Sequence, residues 1–219
     1  MERIMIIIPA YNEEESIAKL LPSLNFPPQD IIVVDDGSTD NTISKSQSFG
    51  VHVIRHEKNK GKGMAHRTGF NFASKEEARW VITMDADGQH SPKDIPKFIK
   101  AIKEKKGDMI IGEREVTIRT MPFLRFLTNL WTSFIVSILG GKRVKDAQSG
   151  FRAISKEIFT SISFSTNNFQ TESEIIIKAA RRGFRITSVP VRTIYNESYS
   201  YIKPFLDTLR FIKLAFQSL

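Results

Sequence analysis

The chain has 219 residues, 41% hydrophobic and 26% charged, a length and balance that suit one soluble domain with a sizeable core. It carries a formal charge of +8, which predicts a phosphate-rich partner, an anionic membrane surface or nucleic acid, and its lack of cysteine excludes disulfides. The longest uncharged stretch, 126–141, is shorter and more polar than the roughly 20 apolar residues that span a bilayer. The N-terminus lacks a signal-peptide pattern, so we expect a cytoplasmic location.

Short apolar runs alternate with helical patterns through the first half of the chain. Runs at 3–10 and 30–38 predict buried parallel strands, and the segment 16–24 between them predicts a helix with Asn12 as its N-cap. The alternation continues with predicted strands at 51–56, 79–85 and 108–114 and predicted helices at 39–49, 63–74 and 92–105. This order predicts an α/β fold with a doubly wound, mostly parallel sheet, helices on both faces, and ligands at the carboxyl ends of the strands.

Two carboxylates lie one residue apart where the strand at 79–85 ends. Asp85 and Asp87 belong to the stretch VITMDADGQHSP (81–92). Paired carboxylates at the end of a core strand suit a hard divalent cation, with Gln89 as a further ligand. Asp-Gly is also common turn chemistry, and an isolated motif of this kind favours the turn. The metal interpretation therefore depends on the motifs around it.

The pattern changes after Arg114, because no acidic residue occurs between Glu115 and Asp146. A helix predicted at 121–139 has a wide apolar face and a narrow polar stripe formed by Arg125, Thr128, Asn129, Thr132, Ser133 and Ser137. Such a face with flanking basic residues is typical of a helix in a membrane interface, but it also suits a helix packed on the sheet or on a dimer mate. The last segment, 196–219, again predicts an amphipathic helix, which would follow a main domain at 1–195.

Several motifs follow one another in a recognisable order. They are IIIPAYNEE, VVDDGSTDNT, NKGKGMAHRTGF, the D-x-D stretch, GER (112–114), DAQSGFRA (146–153) and TESEIIIKAARRGFRITSVPV (171–191). Together they resemble the family 2 glycosyltransferases with the GT-A fold, and the later ones resemble dolichyl-phosphate mannose and polyprenyl-phosphate glucose synthases. The resemblance implies Mg²⁺- or Mn²⁺-dependent, inverting transfer of a sugar from a nucleoside diphosphate sugar. It makes a polyprenyl phosphate at the membrane surface the first choice of acceptor.

The resemblance also implies a nucleotide pocket and a metal site. The pocket would be lined by Pro9, Tyr11, Glu13, Val34, Asp36 and Ala86. In it, Asp36 would accept a hydrogen bond from a base N–H or a ribose hydroxyl. The metal would lie on Asp87 and Gln89, while Asp85 would reach the ribose or a water on the metal, and His90 is interpreted as a bystander. From the residues alone, Pro9 and Tyr11 also fit a strand end with a packed ring, and we expect Asp35 to be buried in its own turn.

Basic residues supply the implied phosphate contacts. Lys62, with Lys60 and two glycines, would favour an anion at a helix start, although a solvated loop fits these lysines nearly as well. Arg114 would clamp the diphosphate or an acceptor phosphate, because arginine binds phosphate bidentately, and it is also assigned a catalytic role. In DAQSGFRA, Ser149 and Arg152 are both implied substrate contacts. Ser149 also allows a tight turn, and Arg152 would hold an acceptor phosphate.

Two further positions leave the substrates open. Arg192 resembles a late family arginine that contacts phosphate, but Ser200 and Tyr201 replace the Ser-Lys pair of the mannose group, so the donor is not specified. Glu172 fits either a ligand contact or a carboxylate at a helix N-terminus.

The acceptor decides whether a general base is required. Asp146 is a candidate base by position and fits a turn residue equally well, whereas a phosphate acceptor needs no strong base. The alternatives are a family 2 transferase acting on a soluble saccharide or glycan hydroxyl, and a non-catalytic nucleotide-sugar binder or membrane-recruitment module. Nucleic-acid binding is disfavoured because no recognition motif accompanies the charge. The expected location is cytoplasmic, with peripheral contact to the inner face of the membrane, and a homo-oligomer is left open.

Overall fold

One mixed sheet organises the chain in a computed structural model, which describes residues 2–114, 123–141, 143–163, 170–192 and 194, with the side chains of 123–126 and 170 outside that description. The strands are β1 (Ile4–Ala10), β2 (Ile31–Asp35), β3 (His52–Arg55), β4 (Trp80–Thr83), β5 (Met109–Arg114), β6 (Arg152–Ser155) and β7 (Ile186–Val191). Their order in the sheet is β3-β2-β1-β4-β6-β5-β7. The predictions for β1 to β5 are confirmed to within a few residues at their ends.

Strand β6 differs from its neighbours in direction. It pairs antiparallel with both β4 and β5, whereas the other adjacent pairs of the sheet are parallel. The predicted mostly parallel sheet is therefore confirmed, and β6 was not predicted because its four residues, Arg-Ala-Ile-Ser, form no apolar run.

Helices cover both faces of the sheet, as predicted. They are α1 (Glu14–Ser23), α2 (Thr42–Gln47), α3 (Lys62–Lys75), α4 (Ile95–Lys103), α5 (Phe123–Gly140), α6 (Lys156–Ser161) and α7 (Gln170–Arg181). Successive strand residues point to opposite faces, so Ile6 and Ile8 join a core with residues of α1 and α4, while Met5 and Ile7 join one with residues of α3, α6 and α7. Both faces of β1 are therefore buried, and its carboxyl end is the part of the strand that a ligand can reach.

The turn after β1 is held by the loop that follows β2. Helix α1 takes Glu13 as its N-cap, so the prediction of Asn12 is wrong by one residue, and Asn12 instead adopts a left-handed conformation with φ 54°. Ser38 Oγ accepts the N–H of Asn12 at 2.9 Å, and Thr42 Oγ1 accepts that of Glu13 at 2.8 Å. The motifs PAYNEE and DDGSTDNT thus fix one another at the edge of the sheet.

The predicted C-terminal segment, 196–219, lies outside the described residues, so its helix stays a prediction. Within the described ranges, no helix has both the length and the hydrophobicity to cross a membrane.

Candidate active site

Acidic side chains gather at the carboxyl ends of β1 and β4. Asp85 and Asp87 follow β4 on a turn and are half-buried, while Ala86 between them is buried. The turn is closed by the N–H of Gln89, which donates to Asp87 Oδ1 at 2.9 Å, and it passes through Gly88 at φ 73°. The D-x-D stretch is therefore a turn, and this turn places two carboxylates at the end of β4. The turn interpretation and the metal interpretation are thus compatible.

Lys62 bridges the acidic cluster to α7. Its Nζ lies 2.6 Å from Asp85 Oδ1 and 2.8 Å from Glu172 Oε1. Burial alone would raise the pKa of Asp85, but the Lys62 ammonium holds that pKa well below its ordinary value. The two carboxylates raise the pKa of Lys62 against the effect of its own burial, so the lysine stays charged. Lys62 thus neutralises Asp85 and ties the end of β4 to the first turn of α7.

The surroundings of Asp87 disfavour its negative charge. Burial and the neighbouring Asp85 carboxylate raise the pKa of Asp87 to about 6. Burial, followed by the charges of Asp87 and Asp85, also raises the pKa of Glu13 at the start of α1. A cation beside Asp87 would be stabilised by this excess of negative charge.

The oxygen atoms around Asp87 suit Mg²⁺ or Mn²⁺ chemically. In the part of the chain that the structure describes, no three His, Cys, Asp or Glu side chains form a group that could hold a metal without further ligands. Mg²⁺ commonly takes one or two carboxylates and completes its coordination with water and substrate phosphates. The donor set therefore fits an ion that arrives with a phosphorylated ligand.

Gly150 brings the loop before β6 against Asp85. A Cβ added at Gly150 would lie 2.8 Å from Asp85 Oδ2 and 2.9 Å from Oδ1, closer than non-bonded atoms normally approach. Thr83 Oγ1 donates to the Gly150 carbonyl at 2.8 Å and fixes this approach. The Ser-Gly step of DAQSGFRA is thus explained by the space that the Asp85 carboxylate occupies.

Asp36 organises the basic loop before α3. Its Oδ1 lies 2.7 Å from His56 Nδ1 and accepts the N–H of Lys60 at 2.9 Å, while its Oδ2 accepts the N–H of Gly61 at 2.8 Å. These two N–H groups, just before α3, are therefore already paired with Asp36, and the predicted anion contact at the helix start stays a prediction. Sequence reasoning missed His56, whose Nε2 lies 2.9 Å from the hydroxyl of Thr68 on α3, because nothing local marks this contact.

The other predicted nucleotide contacts lie nearby. Pro9 and Val34 are register partners at the ends of β1 and β2, with Val34 buried and Pro9 and Tyr11 half-buried. Asp35 is buried and accepts the N–H of Ser38 at 3.1 Å, which confirms its predicted place in its own turn. The nucleotide contacts themselves stay predictions.

Arg114 and Asp146 form a bidentate ion pair. Arg114 Nε lies 2.7 Å from Asp146 Oδ2, and Nη2 lies 2.8 Å from Oδ1. Burial would raise the pKa of Asp146, but its hydrogen bonds with the Arg114 guanidinium lower that pKa below its ordinary value. A carboxylate held in this way is a poor proton acceptor, so the structure disfavours Asp146 as a general base.

The predicted acceptor-phosphate residues of DAQSGFRA require a correction. Arg152 is fully buried and donates to three carbonyls, those of Ala147, Ser149 and Glu172, at 2.6–2.8 Å. Burial lowers its pKa to about 10. Ser149 is also fully buried. Both residues therefore support the loop from within. Their burial does not fit the predicted phosphate contact of Arg152 or the predicted substrate contact of Ser149.

Arg192 stays accessible at the end of β7. Its side chain is exposed, and its backbone N–H donates to Asp94 Oδ2 at 2.7 Å. Glu172 lies in the first turn of α7, as its interpretation as a helix N-terminal carboxylate predicts, and it contacts Lys62. Its ligand contact stays a prediction.

Helix α5 buries polar side chains beside apolar ones such as Val136, and it leaves a second apolar face exposed. The buried side chains Asn129, Thr132 and Ser133 lie on its polar stripe, and Ser133 Oγ accepts the N–H of Ala147 at 3.0 Å. Among the described side chains of the helix, five large apolar ones on the opposite face are 43–62% exposed: Leu127, Leu130, Trp131, Phe134 and Ile138. The alternative that the sheet covers this apolar face is therefore wrong.

Comparison with known proteins identifies a matching family and similar sequences. The model of the family described as Glycosyl transferase family 2 matches residues 5–162. The UDP-N-acetylglucosamine–dolichyl-phosphate N-acetylglucosaminyltransferase of Methanococcus voltae is 38% identical over 217 residues, covering 89% of this chain and 86% of that protein. The dolichol-phosphate mannosyltransferase of Pyrococcus furiosus is 36% identical over 192 residues, covering 80% of this chain and 53% of that protein.

A solved structure shares the fold. Glucosyl-3-phosphoglycerate synthase from Mycobacterium tuberculosis, in complex with Mn²⁺, UDP-glucose and phosphoglyceric acid, superposes with a TM-score of 0.81 at 21% identity. The superposition covers 99% of this chain and 79% of that one.

Proposed function

Because this chain belongs to glycosyl transferase family 2, we propose that it transfers a sugar from a nucleoside diphosphate sugar to a polyprenyl phosphate at a membrane surface. Two relatives more than 30% identical are named for transfer to dolichyl phosphate, which supports this class of acceptor. The acidic cluster lies at the carboxyl ends of β1 and β4, where ligands of open α/β sheets bind. It supports a phosphorylated donor that binds through a divalent cation, because Mg²⁺ takes carboxylates together with substrate phosphates.

Asp87 and Gln89 would hold a divalent cation together with the donor diphosphate. Asp85, which Lys62 already neutralises, would support the ion or the ribose from behind. Mg²⁺ or Mn²⁺ bound there supplies positive charge that stabilises the negative charge developing on the leaving diphosphate. Lys62 stays charged because Asp85 and Glu172 raise its pKa, and its charge offsets part of the negative charge of these two carboxylates.

The state of Asp146 is the observation that favours a phosphate acceptor. A hydroxyl acceptor needs a general base to remove its proton, and the ion pair with Arg114 makes Asp146 unsuited to that task. An acceptor phosphate is already anionic. One of its oxygens would attack the anomeric carbon from the side opposite the diphosphate. The new C–O bond forms as the bond to the diphosphate breaks, the diphosphate leaves with the bonding electrons, and the configuration inverts.

The exposed face of α5 supports reaction at a membrane. Trp131 and Phe134 lie side by side on it, with ring centroids 6.2 Å apart, and aromatic side chains of this kind favour the boundary between lipid headgroups and acyl chains. The inner face of the same helix contacts Ala147, next to Asp146 and its partner Arg114. Lipid contact on the outer face would thus bring a lipid-linked phosphate close to Arg114. The formal charge of +8 adds attraction to anionic lipids.

The test is a transfer assay with the purified full chain. It combines Mn²⁺ and a panel of UDP- and GDP-sugars with vesicles that contain polyprenyl phosphate, and it measures lipid-linked sugar. Asp87→Asn should abolish transfer, while Glu104→Gln, a surface carboxylate paired with Lys106, should not change it. Transfer to soluble saccharides but not to lipid phosphate would refute the acceptor, and failure to bind or hydrolyse every sugar nucleotide would refute the donor class.

A further inference from the structure

His90 closes the loop that carries the three predicted metal-site residues. The N–H of Asp85 donates to His90 Nδ1 at 3.0 Å, so one hydrogen bond joins the two ends of the stretch 85–90. His90 is buried, 3% exposed. Because Nδ1 accepts this bond, the ring proton of the neutral imidazole must lie on Nε2. His90 therefore contributes a fixed acceptor to the loop.

The ring of His90 is held in place by aromatic contacts. It stacks on Phe151 with the ring centroids 5.1 Å apart and the planes inclined by 23°, and Phe151 in turn contacts Phe98 at 4.5 Å. Phe151 directly follows Gly150, against which the Asp85 carboxylate packs. The loop before β6 thus positions both the Asp85 side chain and the imidazole that binds the Asp85 backbone.

The remaining contacts of the loop do not replace this bond. The N–H of Gln89 donates to Asp87 within the loop, and the carbonyl of Gln89 accepts the N–H of Ile194 at 3.0 Å. These contacts hold the far half of the loop, whereas His90 holds Asp85 at its start. Without the imidazole acceptor, the N–H of Asp85 would lose its partner in a partly buried setting, which favours movement of the loop.

We propose that His90 is a positioning residue of the transfer reaction, whose Nδ1 fixes the backbone of Asp85 and so holds Asp87 and Gln89 in place for the divalent cation. The metal part of this inference rests on the proposed function. The part that concerns the loop does not, since it depends only on the hydrogen bond between Asp85 and His90.

Two substitutions separate the acceptor from the ring. His90→Asn places an amide oxygen close to where Nδ1 lies, so it should keep the bond to Asp85. His90→Phe keeps a ring over Phe151 and removes the acceptor. Phe98→Leu is the matched control, because it loosens the same aromatic cluster without contacting Asp85.

The readouts are Mn²⁺ affinity in the presence of UDP, followed by electron paramagnetic resonance, and amide hydrogen exchange of the peptide containing Asp85. We expect His90→Phe to weaken Mn²⁺ binding about tenfold or more, as loss of a residue that orients metal ligands commonly does, and to accelerate exchange at Asp85. His90→Asn should restore both values. Phe98→Leu should lower the melting temperature but leave Mn²⁺ affinity unchanged.

The proposal is overturned if His90→Phe binds Mn²⁺ as tightly as the unaltered chain, or if His90→Asn is as impaired as His90→Phe. If the unaltered chain binds no Mn²⁺ with UDP, the metal site of the proposed function fails, and with it the metal part of this inference. Amide exchange then still decides whether His90 fixes Asp85: equal exchange in all variants refutes it.

Discussion

Replacing Arg114 tests whether this residue stabilises the fold, serves the reaction, or does both. Arg114→Met removes both side-chain contacts to Asp146, which is 1% exposed, and leaves that carboxylate buried without its counter-charge. Removing one partner of a buried ion pair costs about 3–5 kcal/mol. Because the Asp146 carboxylate keeps the N–H of residue 114 at 3.2 Å, we expect the lower end of this range. At about 2–4 °C per kcal/mol for a chain of this size, the melting temperature should fall by roughly 6–12 °C.

The double variant Arg114→Met/Asp146→Leu separates the two roles. Removing both charges eliminates the unpaired carboxylate, and apolar replacements of buried ion pairs are often neutral or stabilising, so most of the lost stability should return. If Arg114 also contacts the substrate, sugar transfer stays lost in both variants. Thermal unfolding and transfer are measured on the same preparations. A single variant that costs less than about 1 kcal/mol would contradict a buried pair, and a double variant that regains activity would refute a substrate role for Arg114.

Three further predictions follow from the geometry. Gly150→Ala should push the Asp85 carboxylate away from its position. Because a misplacement of about 1 Å can cost on the order of 100-fold in rate, kcat/KM for transfer should fall at least tenfold. An unchanged kcat/KM would contradict the close approach of Gly150 to Asp85. Arg114 lowers the pKa of Asp146 below its ordinary 3.8, so the ion pair stabilises the fold above about pH 4 and loses this effect as the pH falls further. The difference in melting temperature between the unaltered chain and Asp146→Asn should therefore shrink from pH 6 to pH 3. Of the two tryptophans, Trp131 is 56% exposed and Trp80 is 8% exposed, so anionic vesicles should shift the emission of Trp80→Phe to the blue but not that of Trp131→Phe; no shift in either would count against membrane contact.

The strands that the sequence predicts are those buried on both faces. β1 and β2 read as continuous apolar runs because helices cover them on either side, and such runs mark a central parallel strand. β6 is not a continuous apolar run, because its first residue is Arg152. The Arg152 charge can be buried because three carbonyls, from the loop before β6 and from α7, accept its hydrogen bonds. The tertiary fold brings those carbonyls together, so no local sequence pattern could have predicted this strand.

The same limit applies to the candidate site. The sequence placed Asp85 and Asp87 at a strand end, because apolar runs and turn residues are local signals. It did not show that Lys62 neutralises Asp85, because that contact joins the start of α3 to the turn after β4. The sequence likewise favoured a phosphate contact for Arg114. It did not show that the Arg114 guanidinium pairs with Asp146, because Asp146 lies 32 residues further along the chain, after α5. Each of these ion pairs changes the charge available to a ligand, which is why motif positions alone do not fix chemical roles.

Helix α5 shows how packing decides between two uses of one amphipathic pattern. Apolar side chains normally face the core, since burying one is worth about 1.5–3 kcal/mol, yet here five large ones stay in contact with solvent. The polar face can lie inward because Ser133 and Thr132 hydrogen-bond to the loop at 147–148, which offsets the cost of burying their hydroxyls. A contiguous apolar patch of this kind is uncommon on a monomer that meets only water. The proposed membrane contact would cover this outer face. The inner face would then hold the loop beside Arg114 at a defined distance from the membrane surface.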